Sequence, residues 1–286
     1  MARHLLMLRH GETFANLEKR LDTRVPGASL TERGKEQARE WGRQRDPRSL
    51  TLIGTSEALR ARQTGREILN GMREAFPHVA QNEFPELRII PGIYETQVGD
   101  WEDGIIDDVN LLAKWFGLFL TWLKGDWKTS SPGPLGENAR MVADRAMPQI
   151  HALYEEFFNG TSARAQDQEK DVLLVAHGAI IPLMTTMMVP DMDKRFAFWS
   201  FLGNTDTVTL QPRAQEAALA GEAAAVDQAE QLVWDLLRWG SQEPPFICDV
   251  PEENDNVEAI ANLKFSSMGK RAAAPQVPGV GTGKED

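Results

Sequence analysis

The chain has 286 residues, 42% hydrophobic and 26% charged, with a net charge of −11 and a single cysteine. A soluble chain of this size buries its own core without a disulfide or a metal staple, and its acidity argues against nucleic acid or an anionic membrane as main partner. Cys248 has no CxxC or Cys/His companion, no stretch reaches the ~18 consecutive apolar residues of a membrane span, and the first apolar run is too short for a signal peptide, so a reducing cytoplasm is the expected setting.

In chain order, His4-Leu-Leu-Met-Leu8 reads as a short buried strand running into the polar loop Arg9-His10-Gly11. Thr31 is the predicted N-cap of a helix through about Arg45. A second strand, Thr51 to Ser56, leads into a helical pattern carrying Leu59, Ile68, Leu69, Met72 and Phe76. Residues 102–136 break the alternation: they hold an aromatic helix ending in the loop Ser130-Ser-Pro-Gly-Pro134, read as a cap inserted over the sheet. Val142, Ala146, Ile150, Leu153 and Phe157 define the next helix, which Pro148 is expected to kink or split. Asp171 to Ala176 is a third buried strand, ending in His177-Gly178, and Thr205 to Leu210 and Gln231 to Trp239 are late strands. Arg213 to Glu230 between them reads as a helix or an excursion, and the Ala, Pro, Gly and Lys that dominate Ser266 to Asp286 read as a disordered tail. The predicted fold is a three-layer α/β/α sandwich with a largely parallel central sheet and a helical cap insertion, one domain over residues 1–264 followed by the tail 265–286.

The chemistry collects at strand ends. Residues 1–75 carry 15 Arg and Lys against 10 Asp and Glu, whereas the rest carries 16 against 32, so an anion should bind groups from the first quarter. Open parallel sheets bind ligands outside the carboxyl ends of their strands, where Arg9-His10-Gly11 and His177-Gly178 fall, with Arg60 and Arg62 at the start of the helix after the second strand. An imidazole attacks phosphorus and guanidinium forks match phosphoryl oxygens. Gly11 and Gly178 would let backbone approach the anion. Arg60 and Arg62 lie about 200° apart on a helix and cannot share one ligand.

Leu8-Arg9-His10-Gly11-Glu12-Thr13 with Asn16, Ser56-Glu-Ala-Leu-Arg60-Ala-Arg-Gln-Thr64, Ile93-Tyr-Glu95-Thr-Gln-Val-Gly99-Asp-Trp101-Glu102, Gly136-Glu137-Asn138 and Val175-Ala-His177-Gly178 form an ordered set. Together they resemble the histidine phosphatase superfamily, phosphoglycerate mutase-like branch, over about residues 4 to 210. The resemblance implies that His10 is the nucleophile, that Arg9, Arg60 and His177 bind phosphoryl oxygens with help from Asn16, and that Glu95 is the general acid and base, with no metal and no organic cofactor. Alignment on Gln63-Thr64 selects Arg60 over Arg62. Thr23 is carried over as a substrate contact from Arg20-Leu-Asp-Thr-Arg24, which departs from the family's glycine-containing motif, and Ala58 stands where the family usually has leucine.

To donate a proton near neutral pH, Glu95 is expected to be desolvated or close to other acids. Asn204 reads as a turn residue, Glu137 as a helix-start acid, and His4, His78 and His151 as ordinary surface or core residues. The acid runs Asp107-Asp108 and Glu252-Glu253 lack metal-binding spacing. The expected partner is a phosphorylated small molecule, and a homo-oligomer is compatible with the sequence. The expected activity is a phosphatase, with three alternatives left open: a phosphomutase on the same core, a specialised-pathway enzyme that cleaves phosphate or diphosphate, and a non-catalytic module that binds phosphorylated ligands. Thr-Gln-Val-Gly-Asp-Trp-Glu after Glu95 resembles the phosphatase branches of the family rather than its mutases, and the few cap cations, Lys114, Lys124 and Lys128, also favour the phosphatase. Trp115, Phe116, Phe119 and Trp122 share one helical face, which either contacts an apolar substrate group or packs on the sheet.

Overall fold

The computed structural model describes residues 4–159, 170–213, 232–252 and 255; the predicted excursion beyond Arg213 and the tail 265–286 lie outside them. The elements run β1 (Leu5–Arg9), α1 (Phe14–Leu17), α2 (Glu32–Arg43), β2 (Leu50–Thr55), α3 (Leu59–Ala75), β3 (Glu86–Ile89), α4 (Val109–Leu123), α5 (Ala139–Phe157), β4 (Asp171–Ala176), α6 (Ile180–Met188), α7 (Lys194–Trp199), β5 (Thr207–Pro212) and β6 (Trp234–Trp239). The six strands form one sheet in the order β3-β2-β4-β1-β5-β6. β3, β2, β4 and β1 pair in parallel, and β5 and β6 extend the sheet antiparallel.

Alternation along the strands builds the layers. Leu6 and Leu8 of β1 join Leu173, Val175 and Ile53 against α2 and α3, while Leu5 and Met7 join Val172, Leu174 and Leu52 in a larger apolar cluster shared with α4 to α7. The sheet is therefore buried on both faces. Thr31 caps α2 through its side chain, as its type predicts.

Two readings change. Pro148 neither ends nor splits α5, which runs unbroken through it. The buried row Val142, Ala146, Ile150, Leu153 and Phe157 anchors the helix to the core, and Pro148 sits on the exposed face, where the carbonyl it leaves without an amide donor is open to water. β3 was not predicted: it is a four-residue edge strand, with Leu87 and Ile89 exposed, and lacks the apolar run that marks a central strand.

Arg9 pairs with Ala176 at the carboxyl ends of β1 and β4. The residues that follow, His10 and His177, are thus brought together across 167 positions of sequence.

Candidate active site

His10 is buried, its ring centroid 5.2 Å from that of His177. Its Nδ1 lies 2.8 Å from the Gly11 carbonyl. A carbonyl only accepts, so Nδ1 carries the proton and Nε2 keeps its lone pair. Burial, reinforced by the Arg60 and Arg9 charges, holds the His10 pKa well below the ordinary imidazole value, which keeps the ring neutral. The backbone around it is pinned: the Gly11 amide donates to Thr64 Oγ1 at 3.0 Å, and Asn204 Nδ2 donates to the His10 carbonyl at 3.0 Å and to Asn16 Oδ1 at 3.2 Å. Asn204 is thus more than a turn residue. Gly11 is small for a different reason from the one expected: a Cβ there would stand 2.4 Å from the Gly34 carbonyl, so the close approach is to α2, and Gly11 does not line the cleft.

His177 is fully buried, and both its ring nitrogens are engaged. Arg60 Nε donates to Nδ1 at 3.1 Å, which leaves the proton on Nε2, 2.7 Å from Ser56 Oγ. Burial and then the Arg60 charge lower its pKa well below the ordinary value. His177 does not line the cleft, and its one N–H reaches a phosphoryl oxygen only by letting go of Ser56. Arg60 is itself 2% exposed and ion-paired through Nη1 to Asp22 at 3.3 Å. Pro26 anchors the loop that carries Asp22 by accepting from the Leu59 amide at 2.7 Å. Arg62, two residues on, is exposed, as the helical angle requires.

Arg9 donates from Nη1 to the Leu202 carbonyl at 2.6 Å and lies 4.8 Å from the centre of the Phe201 ring. Burial pulls its pKa down to about 10, with Glu95 and Asp206 pulling the other way, so it remains a cation at neutral pH. Its Nε is buried with no hydrogen-bond partner. A buried donor left unpaired costs about 1–3 kcal/mol, a cost that an anion beside it removes. Gly178 leaves room there, since a Cβ would come to 3.3 Å from that Nε.

Glu95 follows β3 and faces the N-terminus of α6. Its Oε1 accepts from the amides of Thr96 at 2.8 Å and Ile180 at 3.0 Å, and its Oε2 from that of Ala179 at 3.0 Å. The expected setting of acidic or apolar neighbours is therefore replaced by backbone donors. The loop that carries Glu95 is held by Arg145 of α5, which donates to the carbonyls of Gly92 at 2.5 Å, Tyr94 at 2.9 Å and Glu95 at 3.1 Å. Arg145 is in turn paired fork to fork with Glu137 at 2.7 and 2.8 Å, lies 3.7 Å from the centre of the Tyr94 ring, and shares Glu137 with the Gln97 amide. Sequence reading misses Arg145. The available signal is an arginine beside the apolar row of α5, three residues after Val142.

Arg9, His10, Asn16, Arg60, Glu95 and Gly178 line one cleft of about 140 Å³, and Thr23 lines its side with its hydroxyl donating to Glu102 at 2.5 Å. Opposite this polar floor stand Leu112, Trp115, Phe116 and Phe119 of α4 with Phe198 and Phe201. Trp122 is not among them: it is fully buried and donates from Nε1 to the Thr129 carbonyl at 2.7 Å. The cap lysines are also outside, Lys114 and Lys128 on the surface and Lys124 on Asp255 at 3.0 Å. His78 and His151 are exposed, His4 bonds Asp171 at 3.0 Å, and no cluster of metal-binding side chains occurs among the described residues.

Comparison with known proteins places the chain in a family. The chain is 29% identical over 208 residues to glucosyl-3-phosphoglycerate phosphatase of Mycolicibacterium vanbaalenii, covering 73% of this chain and 84% of that one. It is 26% identical over 190 residues to adenosylcobalamin/alpha-ribazole phosphatase of Escherichia coli, covering 65% and 78%. The solved mycobacterial glucosyl-3-phosphoglycerate phosphatase with VO3 superposes with a TM-score of 0.61 over 84% of this chain and all of that one, at 23% identity, a likeness of fold. The profile of the histidine phosphatase superfamily (branch 1) matches residues 5–221, and the chain belongs to that superfamily.

Proposed function

We propose that the protein hydrolyses a phosphomonoester through a phosphohistidine on His10. The observation that carries this reading is the 2.8 Å bond from His10 Nδ1 to the Gly11 carbonyl, which leaves a neutral ring with a free Nε2 lone pair in a cleft that Arg9 and Arg60 also line. Nε2 attacks phosphorus, the P–O bond to the organic group breaks, and the departing oxygen takes from Glu95 the proton that the bound substrate monoanion has passed to it. Arg9 and Arg60 offset the charge on the transferring phosphoryl group, with Arg9 Nε gaining the acceptor it lacks and Asn16 supplying a further donor. Water then attacks the phosphohistidine, Glu95 takes up the water proton, the P–N bond breaks, and inorganic phosphate leaves with His10 neutral again. His177 orients Arg60 through the bond to its Nε, and Thr23 holds the cleft side through Glu102. The arginines supply the positive charge, so no metal enters these steps. The names of the relatives, phosphatases of phosphorylated small molecules, support hydrolysis.

The test is rapid quench with radiolabelled 4-nitrophenyl phosphate in the presence of chelator. Wild type should carry acid-labile, base-stable label. His10→Ala should carry none and lose turnover by on the order of 10⁴-fold, with an unchanged circular dichroism spectrum. Label on serine or aspartate, or an active His10→Ala enzyme, overturns the mechanism.

A further inference from the structure

The cleft has two halves of unlike chemistry, and the half above the phosphoryl floor is apolar. Leu112, Trp115, Phe116 and Phe119 reach it from one face of α4, and Phe198 and Phe201 close it from the other side. The small exposure that Trp115, Phe116 and Phe119 retain, 6–7%, contrasts with none for Trp122 on the same helical face. That difference divides the face into a part that packs and a part that lines.

Much of the hydrogen-bonding capacity bordering this half is already committed. Thr13 Oγ1 accepts from the Asn16 amide, and Asn16 Oδ1 accepts from Thr13 and Asn204. Thr23 Oγ1 donates to Glu102, and Asp22 is paired with Arg60. The one cation near the rim, Arg20, is held by Glu18 at 3.0 Å and Asp103 at 2.5 Å. A polyol bound against the rings would lose water from its hydroxyls and find few partners there, and a second carboxylate or phosphate would meet Asp22 and, at the rim, a cation already paired with two acids. An apolar group would lose nothing and would bury its surface against rings.

We propose that the organic group of the natural substrate is apolar, an aromatic or unsaturated aliphatic alcohol esterified to one phosphate, rather than a sugar or sugar acid. This rests on the phosphomonoesterase reading for the floor, and the experiment separates the two. Full-length His10→Ala is titrated by calorimetry with 1-naphthyl phosphate and dimethylallyl phosphate, and with glucose 6-phosphate and 3-phosphoglycerate. The apolar pair should bind about tenfold more tightly. In the wild-type background, Trp115→Ala and Phe119→Ala should lower kcat/KM for the apolar esters by about tenfold while leaving inhibition by vanadate, which reads the floor, unchanged. Trp122→Phe should lower Tm and leave the ratio of apolar to polar esters as it was.

Equal or tighter binding of the polar pair overturns the proposal, as do folded wall variants that leave the ratio untouched. Should those variants fail to fold, the binding ratio in His10→Ala decides alone. Preferential binding of 1-naphthyl phosphate without its hydrolysis by wild type would sink the phosphatase reading and leave the wall assignment standing.

Discussion

The floor and the wall of the cleft are built on opposite principles. In the floor nearly every polar atom is committed: Gly11 sets the His10 tautomer, Arg60 and Ser56 set that of His177, and three amides hold the Glu95 carboxylate. Directional bonds of this kind fix atoms for chemistry before any ligand arrives. The wall has no such bonds to offer its contents; it is a surface of rings and aliphatic groups that selects by shape and by exclusion of water. The difference teaches that reaction type and substrate choice are separable here, and that each should respond to its own mutations.

The floor is tested most severely at its proton donor. Glu95→Gln keeps the shape and loses the transferable proton, so turnover of alkyl phosphates should fall by ~10²-fold, and that of 4-nitrophenyl phosphate, whose leaving group needs little protonation, by clearly less. Steady-state kinetics on the two substrates give the ratio, and equal losses would remove Glu95 from the acid role.

A smaller effect probes what positions that acid. Arg145→Met frees the carbonyls of Gly92, Tyr94 and Glu95 and leaves Glu137, 7% exposed, without its cation, at a cost of about 3 kcal/mol in stability. Turnover of alkyl phosphates should drop by about tenfold, with less loss on 4-nitrophenyl phosphate and partial rescue in Arg145→Lys. A variant that melts earlier but slows both substrates equally would make Arg145 structural only.

The smallest effect is in pH dependence. His10 and His177 both have pKa values lowered by burial and then by Arg60, so the unfolded chain takes up protons near pH 6.5 that the folded protein does not. The corresponding stability is complete above about pH 6.5 and is lost as the pH falls from there toward the folded values. Tm should decline by a few degrees over that window, and His10→Ala should lessen the decline. Nitrogen NMR should find the His10 proton on Nδ1 and the His177 proton on Nε2 throughout; a protonated His10 at neutral pH would break the picture of a preset floor.

Much of the floor was legible in the sequence because its parts are local. A buried strand announces itself by an unbroken apolar run, and the residue that leaves its carboxyl end must lie at the sheet edge, so Arg9, His10 and His177 could be placed together before any coordinates. Helical angle kept Arg60 and Arg62 from sharing one ligand, the family resemblance at Gln63-Thr64 chose Arg60, and the structure buries the first and exposes the second. The three-layer order followed from strands apolar on both faces alternating with helices. β3 escaped because an edge strand need not be apolar, and Pro148 does not split α5 because one lost amide on an exposed face is a small term against a whole buried row.

What only the tertiary structure decided are the relations between distant segments. Arg145 meets the Glu95 loop across some fifty residues, Asn204 reaches back to His10 across 194, and His177 turns out to spend its nitrogens on Arg60 and Ser56. The clearest case is α4, where Trp115 and Trp122 stand two turns apart on one face, equivalent in any periodicity. Packing makes one a wall of the cleft and the other core, because a helical repeat says which side a residue faces and only the neighbouring chain says what stands there.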